Sequence, residues 1–128
     1  MSELRDEFCR SIKERYPTIS AKADAEYERL WGDFTDPEYY SYSWFEALAN
    51  AINKEMSREV PASEYQELLA VVSSYFESGD EAVRKCIDVA FVENLFWQVS
   101  QAKSAAYWAA LPKNLKGLYI DFHHRSPL

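Results

Sequence analysis

Apolar residues recur along this chain at three- and four-residue steps, and no stretch shows the strict alternation of a half-buried strand. Leu4, Phe8 and Ile12 make the first stripe, which predicts a helix over about 2–16 that Pro17 closes. Ala23, Tyr27, Leu30, Trp31 and Phe34 predict a second over about 20–31, with Gly32 as its stop. Asp36 and Pro37 read as a cap and a first helical position. Phe45, Leu48, Ala49, Ile52 and Met56 then carry a third helix that starts after Ser43. Pro61 breaks the chain. Ser63 with Gln66 predicts a capping box, opening a fourth helix on Tyr65, Leu68, Leu69, Val72 and Phe76.

Gly79-Asp80 is the clearest punctuation. The glycine is expected to end helix four in the left-handed region, and Asp80 to cap helix five. Residues 83–97, VRKCIDVAFVENLFW, put Val83, Ile87, Ala90 and Asn94 on one line of a helix over about 80–97. The second half is apolar nearly all round, the pattern of a helix surrounded by others. An amide and a carboxylate in that setting, Asn94 and Glu93, either do chemistry or hold the structure together. A buried Asn has up to four hydrogen-bonding positions to satisfy, and leaving it unpaired costs about 1–3 kcal/mol. The structural role is favoured: Asn94 bonding exposed backbone at a neighbouring helix end, Glu93 salt-bridged to a basic side chain.

Two short helices finish the chain. One runs over about 103–111 with Tyr107, Trp108 and Leu111; Pro112 begins another with Leu115, Leu118, Tyr119 and Phe122. Gly117 within it costs about 1 kcal/mol against Ala, which suggests a close helix contact. No repeat or domain-dividing linker is present. The expected fold is a single all-α domain over 1–128, a compact bundle of six or seven helices with a buried central helix at about 80–97.

Charge changes the picture more than composition does. The 128 residues carry a net charge of −7, with ten acids against four bases in 41–100 but only Asp121 against Lys103, Lys113, Lys116 and Arg125 in 101–128. An acidic body argues against nucleic acid, whose backbone needs clustered Lys and Arg. It suits a basic protein partner, and it equally serves solubility alone. No basic-then-apolar leader opens the chain and no apolar run approaches about 18 residues. The expectation is a cytoplasmic protein without a membrane partner.

Candidate chemistry is sparse. Cys9 and Cys86 read as buried small hydrophobes, with a disulfide between them left open. His123 and His124 point about 100° apart on a helix, and no spacing supports a metal site. No nucleophile motif or phosphate-cradling loop occurs, so no catalytic residue, metal ligand or cofactor is expected. The stretch DFTDPEYYSYSWF at 33–45 stands out. It interleaves Asp33, Asp36 and Glu38 with Tyr39, Tyr40 and Tyr42, the pairing of acids and tyrosines that suits a basic protein interface. Local packing of those tyrosines is the competing reading.

The segment ESGDEAVRKCIDVAFVENLFW, residues 77–97, resembles a motif of small all-α bacterial proteins encoded beside polymorphic toxins, including contact-dependent inhibition and type VI effectors. The matching positions are Gly79, Asp80, Val83, Ile87, Phe91, Val92, Glu93, Asn94 and Leu95, with weaker likeness through YWAALPKNLKGLYIDF at 107–122. The resemblance implies an immunity protein that binds and neutralises one cognate toxin domain. It supplies no catalytic residue, and it makes Asp80, Glu93 and Asn94 scaffold. With the expected cytoplasmic location, it implies a toxin with a cytoplasmic target, such as a nuclease, and hence a basic one. A non-catalytic helical adaptor or regulatory subunit and an enzyme are the other two readings.

Overall fold

A computed structural model describes residues 3–32 and 36–128, which form seven α-helices and no strand. The all-α bundle expected from the periodicity is what the chain adopts. Helix α1 (Glu3–Arg15) and α2 (Pro17–Trp31) are parted by Tyr16 alone. Pro17 therefore does two things at once. It cannot continue α1, and its fixed φ with no N–H to satisfy starts α2 three residues earlier than expected. Gly32 ends α2 at a φ of +59°, its N–H bonding the Glu28 carbonyl at 2.7 Å.

Helix α3 (Tyr40–Ser57) lies against α2 and carries much of the core. Trp44, Phe45, Leu48, Ile52 and Met56 are fully buried. Phe45 stacks on Phe8 with centroids 4.4 Å apart and meets Phe91 edge-on at 6.4 Å. The Trp44 indole donates to Asp24 at 2.8 Å, so its one polar atom is satisfied. Two carboxylates lock α2 to α3. Glu55, almost wholly buried, accepts from Lys22 at 2.5 Å and from the Tyr65 hydroxyl at 2.6 Å, with Arg58 at 3.1 Å. Glu26 is held between Arg29, at 2.9 Å, and Lys54.

The fourth helix departs from the expected capping box. Ser63 sits inside a tight 3₁₀ turn (Ala62–Glu64), and α4 (Gln66–Ser78) opens with no side-chain cap. Backbone bonds from Glu64 to Pro61 and from Tyr65 to Ala62 lead the chain into the helix instead. Gly79 closes α4 with a φ of −77°, so it is not left-handed. Its glycine is required by space: a Cβ there would fall 2.5 Å from Val83 Cγ1 and 2.6 Å from the Tyr75 carbonyl oxygen. Asp80 caps the next helix as expected, its carboxylate accepting from the Val83 N–H at 2.9 Å.

That helix, α5, is regular only over Glu81–Lys85. It widens into a π-type turn at Cys86–Phe91, tightens to 3₁₀ at Val92–Asn94, and stops short of the expected end at 97. The burial is as expected: Val83, Cys86, Ile87, Ala90, Phe91 and Val92 are all inside. Helix α6 (Gln101–Ala110) is capped by Ser100, whose hydroxyl accepts from the Lys103 N–H. Helix α7 (Lys113–His123) closes the bundle, bringing Tyr119 within 5.5 Å of both Phe96 and Trp108. Gly117 is exposed on it with nothing within 4 Å of a built Cβ, so the expected close contact is not there. No helix among the described residues is long and apolar enough to cross a membrane.

Candidate functional site

The acidic-aromatic stretch builds a turn before it builds a helix. Asp36 Oδ1 accepts from the Glu38 N–H at 3.0 Å, and the Asp36 carbonyl from the Tyr39 N–H at 3.0 Å. Pro37 presets φ at the second position of that turn. Asp36 thus caps a turn rather than a helix, and α3 starts at Tyr40, earlier than expected because Tyr39 already accepts its first backbone bond. Helix α1 fastens the turn from one side. Arg5 donates to the Glu38 carbonyl at 2.6 Å, Asp6 accepts from the Ser41 hydroxyl at 2.9 Å, and Lys13 reaches the Tyr40 hydroxyl at 2.5 Å.

The three tyrosines divide between two sides. Tyr40 turns toward α1, under the Lys13 ammonium and 5.0 Å from the Tyr27 ring. Tyr39 and Tyr42 instead line a groove of about 410 Å³ with Tyr27, Trp31, Asp36 and Ser43. Tyr39 is 55% exposed, the most open of these rings. The indole Nε1 of Trp31 is buried and has no hydrogen-bond acceptor among the described residues. Of the expected partner-binding residues, Asp36, Tyr39 and Tyr42 come together here, Glu38 is exposed in the same turn without lining the groove, Tyr40 stands apart, and Asp33 lies outside the described residues. Tyr27 and Trp31 were legible only as members of the apolar stripe of α2. Their role as groove walls depends on how α2 packs on α3.

Negative charge continues past Tyr42. Burial raises the pKa of its phenol, and Glu93, Cys86, Glu46 and Asp88 raise it further. Burial pushes the Glu46 carboxyl up. Burial and then Asp121 do the same to Asp88; burial and then Asp88 do so to Glu93, against a smaller opposing effect of His123. Asp36, Glu38, Glu46, Asp88 and Glu93 make no ion pair among the described residues. For Glu93 this corrects the expected salt bridge. His123 comes to that residue's carbonyl, at 3.1 Å, while its own ring lies tilted against Tyr119 with centroids 4.1 Å apart.

Asn94 has a structural part, though a different one from that expected. Its side chain turns back on its own segment, donating to the Ala90 carbonyl at 2.8 Å. The tie between helices comes from Asn53 of α3, which donates to the Asn94 carbonyl at 2.8 Å and accepts from the Phe96 N–H at 2.7 Å. Asn53 escaped the sequence reading, although an amide beside Ile52 in the buried stripe of α3 was the available signal. Cys9 and Cys86 are free and buried, and burial raises both thiol pKa values.

Comparison with known proteins adds a family to this geometry. Residues 9–125 match a domain of unknown function, DUF7674. The chain belongs to the DUF7674 family. No curated protein and no solved structure matches it. The DUF7674 span takes in the groove, the Asn53 clamp and nearly the whole bundle, so the site belongs to the family domain itself.

Proposed function

We propose that this DUF7674 protein is a non-catalytic inhibitor of the immunity type, which binds a basic toxin domain stoichiometrically and neutralises it in the cytoplasm. The observation that carries the reading is the tyrosine-lined groove at the start of α3, with Asp36 in its lining and Glu46, Asp88 and Glu93 beyond Tyr42, none of which makes an ion pair among the described residues. Exposed tyrosine offers large contact area at low entropic cost and a hydroxyl for specificity. The surrounding charge, on a body of net −7, steers a basic partner toward that face and repels an acidic one. The likeness at residues 77–97 to proteins encoded beside polymorphic toxins supports the same reading and makes a nuclease a fitting target.

The test is co-expression with the product of the neighbouring gene, which this reading requires to be a toxin, followed by calorimetry on the purified pair. The reading expects rescue of growth and a one-to-one complex. Growth arrest despite full expression of this chain would sink it, and binding without rescue would transfer the protein to the adaptor class.

A further inference from the structure

We propose that the groove between the end of α2 and the start of α3 is a cation cage that takes the head of a lysine or arginine side chain from the partner protein. This rests on the protein-binding reading and says which chemistry the partner must present.

Its walls are three tyrosines and a tryptophan, Tyr27, Tyr39, Tyr42 and Trp31, with Asp36 and Ser43; none of the described lining residues is basic. Aromatic faces carry negative quadrupole density, and several of them around one space attract an ammonium or guanidinium strongly once water is displaced. Asp36 adds a full counter-charge at the rim. The volume of about 410 Å³ lies in the lower part of the range of ligand clefts and is ample for one long basic side chain.

The same helix shows what such a set does when its cation is present. Lys13 lies 4.6 Å from the centroid of Tyr40 and 5.0 Å from that of Trp44, bonds the Tyr40 hydroxyl, and sits 3.6 Å from Asp24. Aromatic rings, a phenol oxygen and an aspartate together hold an ammonium there. The groove repeats those components without a cation supplied by its described lining residues.

The experiment is an NMR titration of the full chain with N-acetyl-arginine amide and, separately, with its neutral isostere N-acetyl-citrulline amide. The arginine compound is expected to shift the Trp31 indole and the Tyr39 and Tyr42 rings, and the citrulline compound to leave them in place. Tyr39→Leu, at an exposed position where melting by circular dichroism verifies the fold, should weaken the arginine response about threefold to fivefold. Equal responses to both compounds, or shifts scattered over the carboxylates and unaffected by Tyr39→Leu, would overturn the cage. No partner is needed for this measurement. A chain that complexes the toxin domain but ignores arginine amide loses the cage and keeps the proposed function, and the reverse result does the opposite.

Discussion

Asn53 grips the backbone around Phe96 from both sides: its amide nitrogen donates to the Asn94 carbonyl, and its oxygen accepts from the Phe96 N–H. Phe96 has a φ of +68°, a conformation that costs a bulky side chain energy and persists only when neighbours impose it. The clamp, with Trp108 and Tyr119 packed edge-on against the ring at 5.8 and 5.5 Å, is what imposes it.

Asn53→Ala therefore strands two backbone groups at once. The Phe96 N–H bond is a buried one, and the loss of both should cost about 2–4 kcal/mol in urea unfolding. Asn94→Ala removes only bonds back to its own segment, to the Ala90 and, at 3.5 Å, the Val89 carbonyl, and should cost less, about 1 kcal/mol. A larger loss at Asn94 than at Asn53 would reverse the assignment of which amide ties the helices together.

The two glycines in helix-forming sequence should respond in opposite directions. Gly79→Ala drives a methyl against Val83 and the Tyr75 carbonyl, and overpacking of that kind costs about 1–3 kcal/mol. Gly117→Ala meets nothing within 4 Å on the exposed side of α7 and should gain up to about 1 kcal/mol from helix propensity. Thermal melts of the two variants decide it.

What the sequence made legible follows from the range of each interaction. The helices were legible because their apolar stripes repeat within a few residues, and Asp80 was legible because its cap reaches only to Val83. The end of α5 was not. A φ above zero at Phe96 has no local signature in a non-glycine residue, and the group that enforces it lies 43 positions away in α3. The groove was half legible. Tyr39 and Tyr42 stood out beside Asp36, whereas Tyr27 and Trp31 join them only through the packing of α2 on α3.

Two groups of carboxylates should give the stability profile opposite slopes. Burial alone would raise Glu55, but the bonds from Lys22 and Tyr65 outweigh it and hold its carboxyl below the ordinary value. Its contribution is present above the unfolded pKa of about 4.3 and is lost as pH falls through the lower folded value. Glu55→Gln should accordingly cost about 1–3 kcal/mol at pH 7, a penalty that shrinks in acid. Glu93 is raised by burial and Asp88, so the stability its protonated form contributes is fully present below the unfolded pKa and is lost as pH rises through the raised folded value. Glu93→Gln should raise the denaturation midpoint at pH 7 and have no effect near pH 3. Parallel urea titrations at the two pH values measure both, and a stabilising effect of Glu55→Gln at neutral pH would refute the ledger of bonds given for it.

The acidic rim can be separated from the fold because its side chains are exposed. Asp36 needs care, since its oxygen also accepts the Glu38 N–H; Asn keeps that acceptor while removing the charge. A variant carrying Asp36→Asn and Glu38→Lys, both at exposed positions, should melt within about 1 kcal/mol of the parent, as surface substitutions usually do. Its association with a basic partner should slow by about tenfold at low ionic strength and converge on the parental rate in high salt, where the Debye length shrinks to about 3 Å. Stopped-flow association across a salt series reads this directly. A rate that is unchanged at low salt would place the contact surface elsewhere on the bundle, and a rate that stays slow in high salt would mean the substitutions act by shape rather than by charge.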